Sequence, residues 1–474
     1  MRISTSTIYN ANVTNMNNLE VQIAQTQQQI STGNRIQSPS DDPTGAARVV
    51  ELNQANAVVT QYDTNNTAAQ NTLSLSENIL QSVTTLLQSV KATVVNAGNG
   101  TLSTSDRQSL GAKLQGDFQE LLGLANSTDG TGNYLFSGSK GSTIPFVDTA
   151  TGVVYQGDDL QRNMQVSATR QVASTDVGSD IFMRIRNGNG TFTVGAASAA
   201  MTLDTNATIA GGTNVTVAST NALVPGMPIS GGGFPAGTTV LAVTSPTTFT
   251  TTQAGTNGAG QTILFGGANA GTGVISAGAV SNPALFNANN YQLTFSVVAG
   301  VTTYTVTDVT NPAAPAAVAG QTNVAYTSGD AINFNGIQVR ITGAPANGDV
   351  FSVSPSINQG IFSTLSNLIN NLKSPGIPGN TPFNQNVNDA LSNLDQGLDK
   401  ILTIRASMGS RLNELSALQV TNSQQGLQYK QTLTSIQGTD YNKAISDLTQ
   451  QKMFLQAAQQ SFASISKLSL FNYM

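Results

Sequence analysis

Leu52, Val59, Asn66, Leu73, Leu80, Leu87 and Val94 recur at every seventh position of the chain. Ala55, Tyr62, Ala69, Ser76, Val83, Val90 and Ala97 fill the paired position three residues further on. A repeat sustained in this way has few solutions. It predicts one helix of roughly 45 residues, about 65–70 Å long at 1.5 Å per residue, whose stripe must be covered by another helix. Far along the chain a matching stripe appears: Val387, Leu391, Leu394, Leu398, Ile401, Arg405, Met408, Leu412 and Leu415 step by four and three. It weakens through Gln419, Asn422 and Gly426 and resumes at Tyr429, Leu433 and Ile436. Pairing the two stripes is the economical arrangement, and it predicts a long antiparallel coiled-coil bundle built from both ends of the chain. Asn66 and Arg405, polar residues inside the seam, read as register setters.

Each arm extends outward. Tyr9, Asn12, Met16, Leu19, Ile23, Thr26 and Ile30 form a first helix that Gly33 ends and Pro39 keeps from restarting. Asp42 is placed to cap the next helix, with Pro43 at its first position, where a missing N–H costs nothing. Gly438 breaks the other arm, and a last helix carries Tyr441, Ala444, Ile445, Leu448, Leu455, Ala458, Phe462 and Ile465. A shorter helix is expected from about Ser105 to Asn126. Outer helix faces are Gln, Asn, Ser and Thr with few charges, which suits burial against copies of the same chain better than free solution. The expected assembly seam comprises Met16, Leu19, Ile23, Ile30, Leu52, Val59, Leu73, Leu80, Leu87, Leu391, Leu394, Leu398, Met408, Leu412, Leu448, Leu455, Phe462 and Ile465. The outermost helices, roughly 1–32 and 440–474, have little else in the chain to pack on and are expected to order on assembly.

Between the arms the pattern changes to strand alternation. Tyr134–Gly138 leads into a strand and tight turn over Thr151–Asp159, and Met164–Val172 alternates as one strand. Tyr291–Val297 and Thr302–Thr307 predict a hairpin around Gly300, and Ile332–Val353 two strands around Pro345–Asp349. No charged residue lies between Asp204 and Asp308. Residues from about 205 to 265, including Thr238–Val243, read as a separate small β unit. The class is therefore α+β, with inserted β domains. Its expected parts are terminal assembly helices at 1–40 plus 440–474, a helical core at 41–132 plus 357–439, a β domain at 133–195 plus 269–356, and an extra β insertion at 196–268.

Composition narrows the chemistry. The 474 residues include no Cys, no His and no Trp, and 9% are charged, for a net charge of −5. That excludes disulfides, thiolate nucleophiles, Ser-His-Asp triads and His- or Cys-ligated metals. It also lacks the basic stripe of a nucleic-acid binder. Met1–Thr7 shows no apolar signal core, and no run is apolar enough to span a membrane. Asp41-Asp42 beside a proline reads as a cap rather than a metal pair, and Asp158-Asp159 as turn chemistry. Gly138–Thr143 lacks the spacing of a phosphate loop. No catalytic residue, cofactor or metal is expected; an enzyme grafted into an insert without His or acidic residues is disfavoured.

Ile30–Ile36 followed by Ser38–Pro43 resembles the N-terminal segment of flagellins. The Asp-Asp-Pro form is similar to the hook-associated protein 3 branch of that family. Asn133–Gly138, Pro145-Phe146, Tyr155–Asp158, Arg405–Asn413, Ala457–Phe462 and Leu468–Tyr473 resemble the same family. The likeness covers about the first 190 and last 120 residues, and Asn290–Pro355 is similar to β modules of large hook-associated proteins. The resemblance implies a secreted, extracellular structural subunit of the bacterial flagellum, exported unfolded without a cleaved signal and helped by an export chaperone. It implies assembly with itself in a ring, with a hook-side junction protein and with flagellin, and no nucleic-acid or membrane partner. Flagellin itself is the nearest alternative. An exposed adhesin-like or glycan-binding module carried by the β insert is a third.

Overall fold

The computed structural model of the chain describes residues 5–471, apart from 198–201, 219, 221–228, 236–237, 239, 266–268, 270, 312–313 and 374–380. The described helices are α1 (Thr5–Thr32), α2 (Pro43–Ala97), α3 (Thr104–Ala125), α4 (Ile361–Lys373), α5 (Thr381–Gln437) and α6 (Tyr441–Phe471). The fold is α+β, with helices from both ends of the chain and a strand-rich middle. Two compact units are distinguished: Met1–Gln70 with Met164–Val172 and Asn413–Met474, and Asn71–Asn163 with Ala173–Leu412. The division falls inside α2 and α5, whereas the sequence reading drew it at residues 40 and 440.

In the first unit, α2 and α5 run antiparallel. Asn66 Nδ2 donates to Leu415 O at 2.8 Å, and a Cβ on Gly426 would stand 3.9 Å from Val59. Across them lies a hairpin, Asn163–Ser167 with Arg170–Ala173. The sequence reading had one strand there, because Ala168-Thr169 carries none of the Gly, Asn or Pro that usually marks a two-residue turn. Asn65 Nδ2 donates to Gln165 O at 2.8 Å and Asn422 Nδ2 to Val166 O at 3.0 Å, so each helix grips the strand by one amide. Arg170 pairs with both carboxylate oxygens of Glu414. These contacts explain why this unit reaches inward to Gln70 and Asn413. They also explain why the apolar stripe lapses at Asn422, which is 3% exposed and holds the hairpin instead of a neighbouring seam.

In the second unit, Leu73, Leu80, Leu87, Leu394 and Met408 are fully buried. Arg405 donates to Glu77 Oε1 from Nη2 at 2.7 Å and from Nε at 3.1 Å, and Lys91 pairs with Asp395. The helix α3 opens with a capping box: Asp106 N donates to Ser103 Oγ and Ser103 N to Asp106 Oδ2. Helix α4 was not anticipated as an element of its own, although Ile361, Phe362, Leu365, Leu368, Ile369 and Leu372 share one face and are buried. Phe362 sits among Phe118, Phe146 and Phe182, with ring centroids 5.9, 5.4 and 6.0 Å away.

The first of two six-stranded sheets in this unit has the order 316–317, 301–308, 291–298, 350–355, 192–197, with 324–325 also on 301–308. The hairpin around Gly300 pairs Tyr291 with Asp308 through to Val298 with Val301. Where two strands were expected after Ile332 there are three: Ala331–Phe334, Ile337–Thr342 and Val350–Pro355. The missed turn is Asn335-Gly336, at φ 44° and 77°, the pair of positive dihedrals that a tight two-residue hairpin requires. A Cβ on Gly336 would fall 2.3 Å from Asn282 O, so only glycine fits. Phe192, Leu293, Phe295, Val306, Phe334, Val339 and Phe351 build the core here.

Residues 202–265 form their own six-stranded antiparallel sheet, in the order 240–245, 248–251, 214–216, 202–210, 258–265, 229–231. Its separate core includes Ile209, Val215, Val240, Phe249 and Ile263. The chain leaves the first six-stranded sheet at Ala197, opposite Val350. Asn269, on the way back, accepts from Val350 N at 2.9 Å and donates to Val350 O at 2.8 Å.

Candidate assembly surface

The first unit presents the surface on which assembly would act. Its outer helices α1 and α6 lie antiparallel. Tyr9 and Phe462 pack as tilted rings with centroids 5.0 Å apart, Thr26 Oγ1 donates to Gln451 Oε1 at 3.1 Å, and Thr439 Oγ1 donates to Gln29 O at 3.2 Å. Each helix thus finds the other within a single chain, and the expected seam is half covered rather than bare. Met16, Leu19, Ile23, Ile30, Leu448, Leu455 and Phe462 are all half-buried. The side chain of Ile465 lies outside the described residues.

The seam is dry only further in. Leu52 and Val59 are buried in this unit, as are Leu73, Leu80, Leu87, Leu394 and Met408 in the other, while Leu391, Leu398 and Leu412 are half-buried. The seventeen predicted positions whose side chains are described thus fall into an inner set, mostly buried, and an outer, half-open one. Around the outer set stand apolar side chains the sequence reading did not single out: Val21 is 65% exposed, Met453 59% and Phe454 51%. They fall off the heptad positions, so periodicity alone does not find them. A search for apolar residues on the outer, amide-rich face would have. Glu20 is the one charged residue of α1, so little repulsion opposes packing of copies along this face.

Two loops fix the geometry of the pair. The α1–α2 connection and the α5–α6 connection are joined as an antiparallel bridge between Asn34 and Gly438. Arg35 N donates to Gln437 O at 2.7 Å and Thr439 N to Gly33 O at 2.9 Å, while Arg35 Nη2 donates to Ile436 O at 2.9 Å. Gly33 closes α1 at φ 73°, with its N–H on Gln29 O. Asp42 Oδ1 accepts from Gly45 N at 2.9 Å and Thr44 Oγ1 at 3.0 Å, at the start of α2 where Pro43 is the first helical residue. The Gly45 N–H, then Thr44 and Arg35, hold the Asp42 carboxyl below its usual range. Asp41 is lowered likewise, first by the backbone N–H of Ser38 and then by that of Gln37. Both aspartates are thus committed to backbone donors. Asp42→Ala is expected to fray the first turn of α2, seen as faster amide exchange at Gly45 and Ala46 with the β sheets unchanged.

Comparison with known proteins points the same way. The bacterial flagellin N-terminal helical region matches residues 3–141. Flagellar hook-associated protein 3 of Salmonella typhimurium is 43% identical over 185 residues, which is 39% of this chain and 58% of that protein. The match thus spans less than two thirds of that relative's length. A flagellin of Listeria monocytogenes is 27% identical over 177 residues, 37% of this chain and 55% of that protein. Among solved structures, the flagellar junction protein FlgL from Legionella pneumophila superposes with a TM-score of 0.60 at 27% identity, covering 83% of this chain and all of that one. Residues 3–141 thus match a flagellin N-terminal helical region, and the chain is similar in sequence and fold to flagellar hook-associated protein 3.

Proposed function

We propose that the chain is an exported structural subunit of the bacterial flagellum that joins hook to filament by assembling with copies of itself. The observation that carries this reading is the half-open apolar seam of α1 and α6, in a chain whose fold follows that of a flagellar junction protein over four-fifths of its length. Covering that seam with neighbouring copies removes apolar surface from water at about 25 cal/mol per Å². Repeated at every subunit, this drives a closed ring or tube without any charged latch. In this reading the chain contributes no catalysis, and its partners are further copies, a hook-side junction protein, flagellin and an export chaperone. The junction reading is preferred to flagellin because the hook-associated relative is 43% identical and the flagellin 27% over stretches of similar length. Deleting the gene is expected to leave hooks without filaments and flagellin monomer in the medium, scored by electron microscopy and immunoblot. Filaments of normal number and length on the deletion strain would remove the assignment.

A further inference from the structure

The loop between α2 and α3 sets Asn99 before Gly100, one of six Asn-Gly pairs in the chain. In such a pair the glycine N–H can attack the side-chain amide of the asparagine, because no Cβ on the next residue hinders the approach. The other five pairs are held. Asn187 is 8% exposed, its Oδ1 accepts from Ile357 N at 2.9 Å, and Gly188 N donates to Asn393 Oδ1 at 2.7 Å. Asn189 Nδ2 donates to Ala277 O at 3.1 Å. Asn257 Oδ1 accepts from Gly212 N at 2.8 Å, and Asn335 Nδ2 donates to Tyr291 Oη at 2.8 Å. Gly348 N, after Asn347, donates to Phe295 O at 2.9 Å. Each is thus tied to a segment distant in sequence. Asn99 is exposed instead, and a Cβ at Gly100 would meet nothing within 4 Å. Among the described residues neither Asn99 Nδ2 nor Gly100 N has a hydrogen-bond acceptor. Asn99 Oδ1, however, receives two donors from Thr101, N at 3.1 Å and Oγ1 at 2.9 Å.

That arrangement polarises the amide carbon and leaves its departing nitrogen unrestrained. When Gly100 N adds to Asn99 Cγ, negative charge gathers on Oδ1, where the Thr101 donors already point. We propose that Asn99 is a site of spontaneous deamidation, assisted by Thr101, whose acidic product pairs with Arg107. The bond from Gly100 N to Asn99 Cγ forms, the Cγ–Nδ2 bond breaks, and Nδ2 leaves as ammonia with the proton that Gly100 N gives up. Water then opens the cyclic imide at either carbonyl and leaves aspartate or isoaspartate. A carboxylate just past the end of α2 would ordinarily be opposed by the helix dipole. Here a cation stands beside it. Arg107 is 4% exposed, and its Nε and Nη1 have no acceptor among the described residues. Its Nη2 donates to Asn99 O at 3.3 Å, and its guanidinium lies 4.1 Å from the centroid of the Phe383 ring. Buried donors left unpaired are uncommon in folded proteins. The new carboxylate grows on the residue whose backbone Arg107 already holds, and so supplies the missing negative charge.

The test is peptide mapping by mass spectrometry of the full chain aged at mildly alkaline pH. Asn99 is expected to convert to completion while the other five pairs keep their amides. Gly100→Ala, at a position with open space and a φ outside the left-handed region, is expected to fold as the wild type does and to stop the conversion. Thr101→Val keeps the Asn-Gly pair and is expected to slow it several-fold. An amide retained at Asn99, or lost no faster there than at Asn257 and Asn335, overturns the site, and an unchanged rate in Thr101→Val overturns the part given to Thr101. Asn99→Asp is expected to melt no lower than the wild type at low salt and to lose ground to it as salt is added, because salt screens the attraction to Arg107. A lower melt at low salt, or a difference indifferent to salt, overturns the pairing. The junction assignment is untouched by any of these results, because it is read from filaments on cells.

Discussion

Cells carrying Val21→Asp together with Phe454→Asp are expected to lose filaments, while the purified monomer melts as the wild type does. The two side chains are 65% and 51% exposed in the single chain. Replacing them removes almost no intramolecular packing, and surface changes of this kind usually stay within about 0.5 kcal/mol. In an assembly that covers α1 and α6 the same positions become interior. Each carboxylate would then enter an apolar contact without a partner, at a cost of several kcal/mol, repeated in every copy. Leu241→Asp, on the small sheet and 58% exposed, serves as the control and should leave filaments intact. Normal filament counts on the double variant, with the protein exported, would mean that this face is not where copies meet.

The second large effect is internal. Phe362→Ala is expected to cost about 3–5 kcal/mol of stability in the second unit. The ring is 1% exposed and is the common neighbour of Phe118, Phe146 and Phe182. Its loss opens a void that three rigid aromatics, themselves wedged among strands and helices, are slow to fill. Chemical denaturation followed by tyrosine fluorescence would report it as a shifted midpoint with little change in slope. A loss under about 1 kcal/mol would indicate that α4 rearranges to refill the space.

The sequence made the long helices legible because a seven-residue repeat admits one periodicity. Leu52 through Val94 can line up only on a helix, and Gly33, Asp42-Pro43 and Gly438 mark where helices stop and start. Places where a side chain serves a distant partner were not legible. Asn422 reads as a gap in a stripe until the hairpin it holds is seen, and Asn65 reads as one more surface amide. The turn at Ala168-Thr169 carries no turn residue, whereas that at Asn335-Gly336 carries the strongest one and was passed over in favour of the longer Pro345–Asp349 loop. The outer apolar face of α1 and α6 was half legible: its seam by spacing, its flanking Val21, Met453 and Phe454 only once exposure was known.

One detail of the first six-stranded sheet bears on what such a chain can tolerate. Ala197 and the side chain of Asn269 both rest on Val350, so everything threaded between them departs from and returns to one doorway. A cassette mounted in this way can be lengthened, traded or excised while the strands on either side keep their register. Under the proposed function, the strands of this cassette are free to change while the helices that would meet neighbouring copies keep their packing.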